Sequence, residues 1–404
     1  MPKKITVLYH YMHPDDVVSA RHFDGLCEGL VKRGWQVEAM PSNRGCRDET
    51  VRTPRHSRWH NIEFNRVWRP KFRQASSGGR VLNALWMIGA WSRVGLRRKS
   101  TVPDVVMIGT DPIFSVLTAI AIKTLRPRVR VAHWCFDLYP EAAVADGVLS
   151  PDSLVVKLSK RLLCRAYQSC DVIADVGSCM RARLDAYRSS ARRATLTPWA
   201  LYEPTRPVTA DPETRRSLFH GASLGLLYSG NVGRAHSYDE FLALARRLRA
   251  EDAHFCFSIR GNCAAELRDA VGSNDSNIGF AGFASESELG DRLTAADIHL
   301  VSLRAGWTGI VVPSKFFGCL AAGRPVIFAG SRRSCIAEWI VEHKVGWVLD
   351  GDSLESVADD IIRLAKEPER LRSLQAHCHI VYQEHFRMEL VMDAWSTELS
   401  ELLA

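Results

Sequence analysis

Residues 306–330 read GWTGIVVPSKFFGCLAAGRPVIFAG. A Gly-rich front, the turn Pro313-Ser314-Lys315, an apolar run closed by Gly323-Arg324-Pro325 and a second apolar run spell loop, short helix, strand. Ser314 stands where an N-cap belongs. The front of such a helix suits an anion: its first N–H groups lack intrahelical partners, and its dipole favours negative charge by roughly 0.3–2 kcal/mol. Lys315 adds a full positive charge there, and Gly306 and Gly309 allow close backbone approach to a ligand. The competing reading is an ordinary capped helix with its lysine in solvent.

Upstream, the strand-helix alternation continues. Strands are expected at 224–229, 255–260, 277–280, 298–302 and 326–329, with helices such as 238–249 and 285–295 between them. The first of these strands runs into Tyr228-Ser229-Gly230-Asn231-Val232-Gly233-Arg234-Ala235-His236, a second Gly-rich turn whose N–H groups phosphate oxygens could reach. One such turn is common; two, with Arg234 and Lys315 beside them, suit a diphosphate. Before this half lies a Pro-rich stretch around 197–207 that reads as a linker.

The alternation also fills the first half. Strands are expected at 5–9, 37–40, 105–108, 129–134 and 172–176, with helices over 116–125 and 154–167 and helical spacing at Phe23, Leu26, Cys27 and Leu30. The fold class is therefore α/β, with two Rossmann-like doubly wound domains facing across a cleft. The expected boundaries are 1–200, a linker 201–215, 216–385, and a last helix within 386–404. Open sheets of this kind bind ligands at the carboxyl ends of their strands. Two segments of the first half lie at such ends. One is the loop with His13, Asp15 and Asp16; the other is Ala132-His133-Trp134-Cys135-Phe136-Asp137-Leu138-Tyr139-Pro140-Glu141. A strand histidine such as His133 is equally well a hydrogen-bonded core residue.

Other chemistries are disfavoured. The loop after the first strand, HYMHPDDVVSA, has no glycine, so a dinucleotide fingerprint is missing, and no P-loop ending in Gly-Lys-Ser/Thr occurs. The 404 residues, 46% hydrophobic and 24% charged, describe an ordinary globular chain rather than a disordered or fibrous one. The longest apolar stretches, 81–91 and 113–122, fall short of the roughly 20 residues that span a bilayer. Lys3 and Lys4 lead straight into a strand-like run without an apolar leader core, so a cytoplasmic location is expected. Eleven cysteines lack C-x-x-C or metal spacing, which argues for reduced, mostly buried thiols and against zinc.

Charge is uneven. Residues 1–200 hold 32 Lys+Arg against 17 Asp+Glu, while 201–404 hold 21 against 28. Between Arg44 and Lys99, 14 basic residues face three acids and alternate with Trp59, Trp68, Phe72, Trp86 and Trp91. Nucleic acid, an anionic membrane surface or a phosphorylated lipid would each fit that pattern, as would a solvated basic face.

Taken together, HPDD in the first loop, DLYPEAA at Asp137, SGNVGRAH, the run over 279–303 and above all VVPSKFFGCLAAGRPVIF resemble one family along nearly the whole chain. This is the glycogen-synthase-like family four of GT-B nucleotide-sugar glycosyltransferases, in the bacterial branch that builds capsule, exopolysaccharide and O-antigen. The resemblance implies two Rossmann domains, with donor in the second and acceptor in the first. It also implies a last helix packed back on the first domain, no required metal or cofactor, and retention of anomeric configuration. The implied partners are a nucleotide sugar, UDP-linked in this reading, and a lipid-linked or glycan acceptor; an anionic membrane surface is compatible and nucleic acid is not expected.

Carried onto this chain, the resemblance places Ser229, Gly230, Asn231, His236, Thr308, Pro313, Ser314 and Lys315 around the donor. Arg260, Gly261 and Phe283 fall near the nucleoside, and His13, Asp15 and Arg21 on the acceptor side. His133, Asp137 and Asp16 are the catalytic candidates. The chain departs from the pattern where two family glutamates hold sugar and ribose, since Ile310 and Gly318 stand there, and where an Arg and a Lys grip the diphosphate, since Asn231 and His236 stand there. Those departures keep two alternatives open: a sugar-nucleotide 2-epimerase on the same scaffold, or a non-catalytic GT-B binding subunit.

Overall fold

The structure, a computed structural model, describes residues 3–74, 76–283, 285 and 287–404. Ala284 and Glu286, within the run 279–303 and the helix expected at 285–295, lie outside the described residues, as do Met1, Pro2 and Ala75. Two compact units divide the chain, Met1–Thr197 with Glu389–Ala404, and Pro198–Met388.

The first unit holds an eight-stranded sheet in the order β3-β4-β2-β1-β5-β6-β7-β8. Its strands are β1 Lys4–Leu8, β2 Gln36–Ala39, β3 His56–Trp59, β4 Ile62–Asn65, β5 Val105–Gly109, β6 Arg130–Trp134, β7 Val172–Asp175 and β8 Arg192–Thr195. Every pairing is parallel except β3 with β4. All five residues of β5 are buried, as a strand covered on both faces requires. Helix α1, Val18–Lys32, buries Phe23, Leu26, Cys27 and Leu30, the spacing legible in the sequence.

The β3–β4 hairpin was not expected. Only Ile62 and Phe64 of β4 are buried, too short an alternation to register, and polar β3 covers the sheet edge. The turn places His60 and Asn61 at φ 48° and 63°, the backbone that tight hairpins need.

Helix α2, Ser77–Ser92, starts at Ser76, whose Oγ accepts the Gly79 N–H at 3.1 Å. A Cβ at Gly79 would lie 2.1 Å from the Arg73 carbonyl oxygen, so glycine is required there. Helix α3, Thr118–Leu125, packs against both α2 and α4, Leu154–Gln168, so the three form one layer. The last helix, Met388–Glu401, is tied into the same unit. Trp395 is fully buried edge-on to Trp134 at 5.5 Å, and Arg33 pairs with Glu389 and Asp393.

The second unit holds a six-stranded parallel sheet, β11-β10-β9-β12-β13-β14. Its strands are β9 Leu224–Asn231, β10 Ala253–Arg260, β11 Ile278–Ala281, β12 Ile298–Leu303, β13 Val326–Gly330 and β14 Gly346–Leu349. One core gathers Leu226, Phe255 and Phe257; another gathers Val301, Phe316 and Phe328. Helix Pro212–Phe219 begins inside the stretch expected as linker, capped by Asp211, whose carboxylate accepts the Thr214 N–H at 2.7 Å. In both sheets the chain order reverses beside the first strand, between β1 and β5 and between β9 and β12. Such switch points open a crevice outside the carboxyl ends of the strands.

Candidate active site

At the switch point of the first unit, the loops after β1 and β5 meet. The His10 N–H donates to the Asp111 carbonyl at 3.0 Å, and the buried ring holds Nδ1 3.4 Å from Asp111 Oδ1. The His13 N–H is shared by both oxygens of Asp24 at 3.1 Å, its carbonyl accepts from Arg66 at 2.8 Å, and its ring stacks on Trp59 at 4.3 Å. Burial, then Arg66 and His60, lowers the His13 pKa. Burial pushes the Asp24 carboxyl up to about 7 and raises that of Asp15, which accepts the Cys46 N–H at 2.9 Å. Asp137 is an exposed residue beyond the end of β6, and desolvation, then the charge of Asp111, raises its carboxyl to about 6.

The switch point of the second unit is built around a lysine. Lys315 opens helix α5, Lys315–Ala321, and its Nζ donates to Tyr228 Oη and to the Asn231 carbonyl, each at 2.8 Å. The ammonium lies 4.0 Å from the Tyr228 ring centroid. Burial brings the lysine down to about 7, so its charge titrates near neutrality. Gly230, at φ 130°, faces it: a Cβ there would stand 2.7 Å from Lys315 Cε. The glycine thus lets the lysine lie across the end of β9.

His236 Nδ1 accepts the Gly233 N–H at 3.2 Å. Burial, then Lys315 and Arg304, lowers the ring to about 3, so it is neutral and carries its proton on Nε2. Arg304 fastens the turn to the end of β12, its N–H donating to the Ala235 carbonyl and its Nε to that of His236. Arg260 lies with its guanidinium 3.8 Å from the Phe283 ring centroid, presenting a flat, charged edge at the end of β10. Gly261, at φ 118°, is packed so closely that a Cβ would stand 2.4 Å from Asn231 Oδ1. Thr308 bridges to Val311 next to Gly309 at φ 75°, and Pro313 and Ser314 follow in the loop before α5. Lysine, glycine backbone and neutral imidazole together make a site able to bind a multiply charged anion.

Comparison with known proteins fits this geometry. Residues 224–367, the sheet that carries Lys315 and the Gly230 turn, match the family described as glycosyl transferases group 1. A probable glycosyltransferase of Pseudomonas aeruginosa, WbjE, is 26% identical over 314 residues, 74% of this chain and 75% of that one. The fold is shared with HepE of Anabaena, solved in complex with UDP and glucose, at TM-score 0.65 and 12% identity over 99% of this chain and all of that one. It is shared as well with WaaG, a glycosyltransferase involved in lipopolysaccharide biosynthesis, at TM-score 0.63 and 16% identity over 97% and 98%. The chain thus has the GT-B fold of these glycosyltransferases, with two Rossmann-like domains.

Within the second unit, the structure brings Ser229, Gly230, Asn231, His236 and Lys315 together at one switch point. Ser314 is a correction. Its backbone is already helical at φ −63° and ψ −18° and its side chain caps nothing, while the Phe316 and Phe317 N–H groups donate to the Pro313 and Ser314 carbonyls, so the anion site rests on Lys315. Ile310 is buried, whereas at Gly318 a Cβ would make only ordinary contact with Leu293.

In the first unit His133 is also corrected: it is buried within β6, with Nδ1 2.9 Å from the Ile108 carbonyl, and desolvation lowers its pKa to about 4. It is a strand residue of the core rather than a group presented at the strand ends. Asp16 is exposed and paired with Arg47 at 3.0 Å, and Arg21 lies half-buried on α1. The sequence reading missed Tyr228 as the support of Lys315, Arg304 as the anchor of the turn, and Asp24 and Asp111 behind the first loop. Only Asp24 left a signal, a carboxylate on the apolar face of a helix.

Proposed function

We propose that the protein transfers a hexosyl or N-acetylhexosaminyl group from a nucleoside diphosphate donor, UDP-linked, to a lipid-linked or glycan acceptor in surface-polysaccharide synthesis. The observation that carries this reading is Lys315 held across Gly230 at the switch point of the second unit. There it can meet the diphosphate oxygens, with neutral His236 as a further donor and Arg260 and Phe283 toward the nucleoside. The fold shared with HepE, solved with UDP and glucose, and with WaaG of lipopolysaccharide biosynthesis supports the donor and product class. The reading needs no metal, because Lys315 and backbone N–H groups supply the positive potential. It places the enzyme in the cytoplasm, at the inner face of the membrane where a lipid-linked acceptor is found.

In the retaining reaction the bond from the anomeric carbon to the diphosphate breaks while the acceptor oxygen bonds to the same face. The acceptor proton passes to the departing phosphate oxygen, and fixed dipoles stabilise the charge that develops. His133 plays no part in this sequence.

Two measurements test it. Titration calorimetry with UDP is expected to show Lys315→Ala weakening binding by about 10- to 150-fold, the loss of one charge-assisted phosphate contact. Unchanged affinity would remove the lysine from the donor site. NMR of the product is expected to show an unchanged anomeric configuration and undiminished turnover in the presence of a chelator; an inverted product would require a general base, a role that Asp15, Asp16 or His13 could fill.

A further inference from the structure

Two neighbouring helices of the first unit keep large apolar side chains in solvent. On α4, Leu154 and Leu158 are 83% and 60% exposed, and Leu162 continues the line. These residues stand four apart and form one stripe, while Val156, Leu163, Ala166 and Tyr167 face the core. On α2, Leu82, Leu85 and Trp86 are exposed in the same way. Exposed apolar side chains on two helices that flank α3 in one layer mark a candidate interaction surface.

The charge around the stripe indicates the partner. Residues 153–170 contain four basic residues and no acidic one, and residues 64–103 contain nine and none. Lys157, Lys160, Arg161 and Arg165 are all exposed beside the leucines. Along α2 runs a groove of about 580 Å³, where Trp68 and Trp86 meet edge to face at 5.3 Å and Arg55 and Arg93 stand exposed. The surface is narrower than the basic stretch 44–99 suggests. Arg44, Arg66 and Arg69 are buried, with Arg44 Nε on the Arg69 carbonyl and Arg66 on the carbonyls of Pro54 and His13.

We propose that α2 and α4 dock the first unit on an anionic phospholipid bilayer. Leu154, Leu158, Leu85 and Trp86 enter the interface, and the flanking lysines and arginines meet the headgroup phosphates. Aliphatic stripe, interfacial tryptophan and an excess of positive charge, with Asp152 and Glu141 pairing loosely with Lys157 and Lys160 at 3.7 and 3.8 Å, together are the chemistry of such a surface. A second copy of the chain fits it poorly, because a two-fold contact would set one basic rim against the other. The inference extends the reading of a lipid-linked acceptor and rests on it for its purpose, but its test needs neither donor nor turnover.

The test is sedimentation of the full chain with vesicles of phosphatidylcholine alone or mixed with phosphatidylglycerol. Binding is expected only with the anionic lipid and should fall with added salt. Lys157→Glu with Arg161→Glu, and separately Leu154→Ser with Leu158→Ser, are each expected to lower partitioning at least about tenfold. Val341→Ser, at an exposed site of the second unit, should leave it unchanged. UDP calorimetry on every variant reports that the donor unit is folded, and Lys315→Ala should still bind vesicles, which separates this inference from the donor reading. Partitioning indifferent to phosphatidylglycerol, or unmoved by both double variants, would overturn it. So would light scattering that finds a dimer abolished by Leu154→Ser with Leu158→Ser, since the stripe would then join two copies.

Discussion

The two switch points occupy the same place in two similar sheets, yet one is built on a cation and the other on carboxyls. At the end of β9, burial takes Lys315 down to about 7; beside β1 and at the end of β6, it takes Asp24 up to about 7 and Asp137 to about 6. Desolvation opposes whichever form is charged, so groups of opposite sign converge on neutrality. The difference lies in what each end offers: positive potential for an anion in the second unit, and proton acceptors in the first unit.

The comparison predicts that rising pH weakens both groups' contributions, but in different properties: ligand affinity for the lysine, stability for the carboxyl. For Lys315 the charged form is lost as pH rises through about 7, so UDP affinity should weaken by about 50-fold between roughly pH 7 and pH 9 if the bound lysine stays protonated. Calorimetry in buffers of different ionisation enthalpy should find close to one proton taken up at the upper end of that range, and Lys315→Arg should abolish the uptake. A flat profile would mean that the lysine keeps its charge in the free enzyme.

Asp24 should act on stability instead. Its folded pKa lies above its ordinary value, so the folded state binds more protons and stability is lost as pH rises from about 4 through about 7. Asp24→Asn keeps an acceptor for the His13 N–H. It is expected to flatten denaturant midpoints across that window, with a gain at neutral pH on the order of 2–4 kcal/mol. Equal slopes in both proteins would place the charge of Asp24 in a better solvated setting than its burial implies.

The smallest effect is expected at Asp16. Its pairing with Arg47 is exposed on both sides, and such pairs contribute about 0–1 kcal/mol. Asp16→Asn should leave the thermal midpoint and turnover nearly unchanged; complete loss of turnover would move the chemistry into the first loop and break the contrast drawn above.

The sequence by itself determined the alternation of strands and helices, because apolar spacing in α1, β5, β9 and β13 is a local property that burial enforces residue by residue. It also determined the two Gly-rich turns, since Gly230 and Gly309 hold backbone angles that other residues rarely adopt. Tertiary structure decided which groups meet. Nothing near Lys315 in the chain announces that Tyr228 lies beneath it, 87 positions away, or that Arg304 secures His236. It decided burial as well: His133 and Asp137 stand four apart in one segment, yet strand pairing sets the first into the sheet interior and leaves the second at its end. Local pattern is read along the chain, whereas charge, solvation and hydrogen-bond partners depend on packing between distant segments, and these set the chemistry of the site.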